Sequence, residues 1–175
     1  PQSDVLLVTE SGIVVYDASA SLKHRWAEKP FHTGEVAFLP DGRIAASIPE
    51  RASLEVFRQD GTREHALQAF AGEPGRFHEP MTVAVSVQGE IVVGQNDGTM
   101  LLFRNPQDRF EPELVRTFRM RFTLPSVLPR SLVFDGPERI IAGDPERLRV
   151  LVYSTGGIRL LARDPHKDWT SIMQR

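Results

Sequence analysis

The stretch FLPDGRIAASIPERASLEVFRQDG (38–61) aligns without gaps on FDGPERIIAGDPERLRVLVYSTGG (134–157). Phe38 meets Phe134, Arg43-Ile44 meets Arg139-Ile140, Pro49-Glu50-Arg51 meets Pro145-Glu146-Arg147, and Phe57 meets Tyr153. The offset of 96 residues is two units of about 48, a period that belongs to repeat architectures. A middle copy, VAVSVQGEIVVGQNDGTMLLF (83–103), lies between them, with Gly89-Glu90-Ile91 at the turn before its second strand and Phe103 at the aromatic position. An N-terminal copy, VLLVTESGIVVYDASASLKHRW (5–26), reads as second, third and fourth strands with no first strand.

Within each copy, short aliphatic and β-branched runs such as RIAASI (43–48), TVAVSV (82–87) and RVLVYS (149–154) alternate with turn residues: ESG, PDG, QDG, VQG, NDG and TGG. That is hairpin chemistry around strands of ordinary length. Thirteen prolines and 13 glycines interrupt most windows of helical period. The chain is therefore all-β. A unit of four short antiparallel strands cannot cover both its faces alone, whereas radial stacking of such units does, which gives a β-propeller of about four four-stranded blades. The blades are expected at 1–27, 28–70, 71–122 and 123–164. Residues 165–175, with Trp169 to Met173, remain over and are expected to supply a closing strand to the first blade. Four copies with that closure is the preferred arrangement; two missing blades, or assembly of chains into a ring, would also satisfy the count.

Composition sets the remaining bounds. At 175 residues, 41% apolar and 25% charged, the chain is one globular domain without disordered or collagen-like character. No run of 18 apolar residues exists, so no membrane partner or helical span is expected. These residues hold no signal peptide, and cytoplasmic localisation is expected. A start at Pro1 suggests a piece cut from a larger protein. Zero cysteines remove disulfides, thiol nucleophiles and thiolate metal sites. The net charge is -2, but residues 1–87 hold 8 Lys/Arg against 12 Asp/Glu, and residues 88–175 hold 13 against 11. Six arginines (Arg104, Arg109, Arg116, Arg119, Arg121, Arg130) fall within 104–130.

One segment is more specific. GEPGRFHEPMTVAV (72–85) presents Gly72, Gly75, Phe77, Pro80 and Val83-Ala84-Val85 at a spacing that closely resembles the opening of an NHL repeat, the blade of a family of six-bladed propellers. AGDPERLRVLVY (142–153) is similar to the second half of that repeat, with Asp144 and Arg149 at its aspartate and arginine positions. The second copy departs from it, with Ile48 and Ser53 there instead, and the third has Gln95 or Asn96 near the aspartate. The resemblance implies a non-catalytic recognition module. In that family such propellers often sit at the C-terminus of tripartite-motif ubiquitin ligases, where they choose a protein substrate or an RNA.

In a blade, the second-to-third strand loop and the connection to the next blade lie on one face, and loops on a rigid scaffold carry function. Here that face is expected to hold the protein-binding residues Phe31, Arg51, Arg76, Phe77, His78, Arg130, Arg147 and Arg149. Glu28, Glu50, Glu73, Glu79, Asp97, Asp144 and Glu146 share it, so the face is charged in both signs. Charge-mixed loops with exposed aromatics suit a protein partner first. RNA is the alternative, carried by Arg119, Arg121, Arg130 and Arg147, because RTFRMRF (116–122) interleaves arginines with Phe118, Met120 and Phe122. Phosphate affinity needs net positive potential, however, and period-2 alternation is what any half-buried outer strand shows. For Arg147 and Arg149, an ion pair with Asp144 or Glu146 stands beside a binding role.

An enzyme is not expected. The five histidines show no close-spaced ligand pattern, and the inner strands carry Val36, Phe38, Val83, Val85, Leu132 and Phe134 where a channel metal would need converging ligands. His78-Glu79 is the one His/carboxylate pair near an inner strand; a metal-dependent lyase or lactonase is a distant third reading. No catalytic residue, cofactor, metal or small-molecule substrate is expected, and any ligase chemistry would belong to a parent chain.

Overall fold

The computed structural model of the chain describes residues 4–9, 12–26, 34–105, 110–120, 131–144 and 149–163, with Asp144, Arg149 and 161–163 described by backbone alone. The first sheet joins β1 (Val5–Thr9), β2 (Gly12–Tyr16) and β3 (Leu22–Arg25). The second joins β4 (Val36–Phe38), β5 (Ile44–Ile48), β6 (Ser53–Phe57) and β7 (Arg63–Leu67). The third joins β8 (Pro80–Val85), β9 (Ile91–Gln95), β10 (Thr99–Arg104) and β11 (Glu113–Arg119), and the fourth β12 (Leu132–Phe134), β13 (Arg139–Asp144), β14 (Arg149–Ser154) and β15 (Arg159–Arg163). Every sheet is an antiparallel meander in sequence order, and a 3-10 turn at Pro49–Arg51 is the one helical element among the described residues. The sheets are the four blades, I to IV, of a β-propeller. Among the described residues no helix is long and apolar enough to cross a membrane.

Strand register confirms the repeat residue by residue. Ile44 pairs with Phe57, Ile91 with Phe103 and Ile140 with Tyr153. A bulge follows at the same place in every blade, between Val15/Tyr16, Val56/Phe57, Leu102/Phe103 and Val152/Tyr153. Because Val5 pairs with Tyr16, β1 occupies the second-strand position, and blade I has no first strand among the described residues, as its sequence implies. The closing strand expected at 165–175 lies outside the described residues.

Turn chemistry sets the hairpins. Asp41, Asp60 and Asp97 each precede a glycine and accept the backbone N–H two residues on, from Arg43, Thr62 and Thr99, each at 2.9 Å. These Asx turns hold the Asp-Gly corners that the sequence announces. Gly61 has φ +91°, and a Cβ there would meet the Trp26 ring at 3.0 Å.

The core lies in the seams between blades. Ile13, Val15 and Trp26 of blade I pack on Ile44, Ala46 and Phe57 of blade II. The other face of blade II, with Ala45, Leu54 and Val56, packs on Ile91, Leu101 and Phe103 of blade III. Val92, Met100 and Leu102 then pack on Ile140, Leu151 and Tyr153 of blade IV. Each of the Val, Ile, Leu, Met and Phe side chains among them contributes about 2 kcal/mol by leaving water. The inner strands meet directly, β4 on β8 and β8 on β12, while β1 takes the inner place against β4. Among the described residues, no strand of blade IV packs on blade I as closely as the internal seams do.

Candidate recognition face

Antiparallel order brings the turn at 49–52, the connection 68–79 and the turn at 96–98 to one end of the blades, where the inner strands begin. The 68–79 connection is the most elaborate of these. Phe70 N–H donates to Gly75 O at 2.9 Å, and Ala69 bridges Arg76. Thr117 Oγ1 donates to Glu73 O at 2.8 Å, and Gln95 Oε1 accepts the His78 N–H. Asn96 N–H donates to Glu79 O at 3.1 Å, while its side-chain amide donates to the Glu79 carboxylate. Glu79 itself is held at φ +47°, a left-handed conformation that costs a non-glycine residue about 1 kcal/mol.

Phe77 departs from the sequence expectation. It is 3% exposed and packs its ring 5.0 Å from Phe70 and 5.8 Å from Phe103. Expected as an exposed aromatic of the binding face, it is instead the apolar anchor that draws the connection onto the blade II–III seam. Arg76, His78 and Glu79 are left exposed around that anchor.

Arg51 is also committed to structure. Its guanidinium lies 3.1 Å from Glu55, a buried carboxylate that also accepts from Ser53 Oγ and has Arg63 at 3.6 Å. Arg119 is exposed and pairs with Asp97 at 3.0 Å. Burial would raise the Asp97 pKa, but the Thr99 N–H and hydroxyl together with Arg119 outweigh it and hold the carboxyl below its ordinary value. In the same strand Phe118 is half-buried near Tyr153, and Met120, just past the strand's end, is buried in the blade III–IV seam. Phe118 thus marks the packed side of an outer strand and Arg119 its solvated side, while Phe122 lies outside the described residues. Arg149 sits opposite Asp144 in register, with neither side chain described. Phe31, Arg121, Arg130 and Arg147 lie outside the described residues.

The sequence reading passed over Glu35. It directly precedes β4, and its carboxylate accepts the backbone N–H of Val83, at 3.3 Å, and that of Leu132. One side chain thereby links the inner strands of blades II, III and IV, serving N–H groups of β8 and β12, the edge strands of their sheets. Burial raises its pKa from the ordinary 4.5 to about 7, and the two N–H donors only partly oppose this. A repeat-based signal exists. Val36, Val83 and Leu132 are equivalent by register, so Glu35, Thr82 and Ser131 are equivalent too. The position is polar in three successive copies, and Thr82 Oγ1 is buried without a hydrogen-bond partner. Gly34 makes this approach feasible, since a Cβ there would run into the backbone carbonyl of Met81. Among the described residues no cluster of His, Asp and Glu is arranged to hold a metal ion.

No family model and no curated protein matches this chain. Solved structures do. A protein of unknown function from Bacteroides caccae is 16% identical, with a TM-score of 0.62, over 93% of this chain and 58% of its own. U3-55K is 16% identical, with a TM-score of 0.56, over 77% of this chain and 39% of its own. Hydrazine synthase of Kuenenia stuttgartiensis is 15% identical, with a TM-score of 0.59, over 92% of this chain and 46% of its own. At these identities the likeness is one of fold. The chain spans about half the length of the structures it matches.

Proposed function

We propose that this chain is a non-catalytic recognition module that presents the loop face around 68–79 to a protein partner. The observation that carries this reading is preorganisation. Arg76, His78 and Glu79 are exposed on a connection fixed by a buried phenylalanine, backbone bridges and the Gln95 side chain. A loop already ordered before binding avoids the entropic cost of ordering it in the complex. Mixed charge around a rigid frame also suits a polypeptide with its own pattern of both signs.

The NHL-like character of the blades, and a place in a tripartite-motif ubiquitin ligase, belong to the same proposal. Their support is the Gly72 to Val85 spacing, whose residues build this connection: Gly72 and Gly75 take φ +99° and +74°, Phe77 is the anchor, and Pro80 opens β8. Nothing among the described residues favours RNA, because Arg119 is paired with an aspartate and Met120 is buried.

A phage-displayed random peptide library panned on the immobilised chain tests this. Enriched peptides should bind wild type and lose at least about tenfold in affinity, roughly 1.4 kcal/mol, on Arg76→Glu combined with His78→Asp. Failure to enrich any peptide, or peptides indifferent to both substitutions, would overturn it. A single-stranded RNA pool that binds at about 50 mM salt and is released at about 200 mM would replace it with the RNA reading.

A further inference from the structure

An aspartate followed by glycine can rearrange its own backbone. The glycine nitrogen attacks the aspartate Cγ; a Cγ–N bond forms, a Cγ–O bond breaks, and one water leaves, giving a cyclic imide. Water then reopens the ring at either carbonyl. Attack at Cγ restores aspartate, whereas attack at the main-chain carbonyl leaves isoaspartate, with the chain routed through the side-chain carbon. Glycine favours the closure because it has no Cβ to hinder approach to its nitrogen.

Four aspartates of this chain precede glycine: Asp41, Asp60, Asp97 and Asp135. The fold restrains the first three at both reacting groups. Each carboxylate accepts the backbone N–H two residues on, at 2.9 Å. Each glycine N–H is bonded as well, Gly42 to Leu39 O at 2.9 Å, Gly61 to Arg58 O at 3.0 Å and Gly98 to Gln95 O at 3.0 Å. Asp135 has neither restraint. Two residues beyond it stands Pro137, which has no N–H to donate. Among the described residues the Gly136 N–H has no hydrogen-bond partner. Gly136 is exposed, at φ +71°, and a Cβ there would meet nothing within 4 Å. The Asp135 carboxylate does pair with Arg139 at 2.8 Å, but the two side chains are 45% and 54% exposed, and a surface pair of this kind is a weak restraint.

We propose that Asp135-Gly136 is a site of spontaneous isoaspartate formation, which the fold leaves open while closing the same reaction at its three sister corners. The cause lies in the repeat. Blade IV reads FDGPER (134–139) where blade II reads FLPDGR (38–43). Its Asp-Gly thus stands two residues nearer the first strand, outside the corner that holds Asp41. The product adds one backbone atom to the turn between β12 and β13, where Phe134 pairs with Ile140 and the Asp135 N–H donates to Arg139 O at 2.9 Å.

Ageing the whole folded chain at body temperature and neutral pH tests this. Trypsin separates the four sites, since 27–43, 59–63, 77–104 and 131–139 each carry one Asp-Gly. Isoaspartate appears as a peptide of unchanged mass and altered retention that endoproteinase Asp-N no longer cuts at that residue. The 131–139 isomer should accumulate at least about tenfold faster than the other three, because two hydrogen bonds must break before each of those can react. In guanidinium, where the fold is lost, all four should convert at similar rates. Equal rates in the folded chain would overturn the proposal, as would a folded Asp135 that stays unconverted while the unfolded chain reacts. An Asp135 that fails to convert even in guanidinium would do the same.

Discussion

Replacing Glu35 by Gln isolates a carboxyl that links three blades. The wild-type group ionises at about 7 in the fold against an ordinary 4.5. The folded state therefore holds a proton that the unfolded chain has lost between those two values. Stability from this group is fully present below 4.5, falls as pH rises, and the whole penalty is in force above about 7. At about 1.4 kcal/mol per tenfold, the displacement corresponds to about 3 kcal/mol, and partial contact with water lowers the expectation to about 2. Glutamine keeps an acceptor for the Val83 N–H and cannot ionise. Urea midpoints of both proteins, at intervals from about pH 4.5 to about pH 7.5, give the difference directly. Asp17, Asp41, Asp60 and Asp97, all held below their ordinary values, contribute alike to both proteins and cancel. The variant should gain on wild type by about 2 kcal/mol across that range. A pH-independent difference would refute the reasoning, because it would mean that Glu35 ionises as freely folded as unfolded.

Other outcomes follow from the seams and the loop face. Trp26→Ala removes a ring 4.9 Å from Phe57 and the indole hydrogen bond to Gln59 O, and should cost about 3–5 kcal/mol by urea denaturation. Phe77→Ala should cost a similar amount, about 3 kcal/mol or more, rather than acting as a silent surface change; an unchanged melting temperature would contradict its burial. Gly34→Ala should destabilise by about 2 kcal/mol or more, since it forces β8 away from Glu35. Arg119→Glu, at an exposed pair, should change stability by no more than about 1 kcal/mol.

The repeat was legible because turn chemistry and strand period are local. The Asp-Gly corners, the aromatic at Phe57, Phe103 and Tyr153, and the three-stranded first sheet among the described residues all fall where the sequence puts them. Over the described residues 116–120 the alternation likewise resolves into a packed side, with Phe118 and Met120, and a solvated side, with Thr117 and Arg119. What sequence could not supply was the direction of a loop side chain. Phe77 sits among glycine, arginine and histidine, so its neighbours in the chain look solvated, while its neighbours in space are Phe70 and Phe103. Glu35 was passed over for a related reason. It stands one residue outside an apolar strand, and its meaning depends on N–H groups 48 residues away and farther. In sequence Arg51 stands as a protein-binding candidate and Arg119 as an RNA-binding one, because their partners, Glu55 and Asp97, are set by the fold.

The recognition reading rests on the claim that 68–79 is ordered before any partner arrives. Amide hydrogen exchange of the free chain tests that most directly. The account predicts that Phe70 and His78, whose N–H groups are bonded to Gly75 O and Gln95 Oε1, and Asn96, bonded to Glu79 O, exchange as slowly as the amides of β8 and β9. Exchange at the rates of an unstructured peptide would contradict it, and would remove the ground for a preformed recognition face.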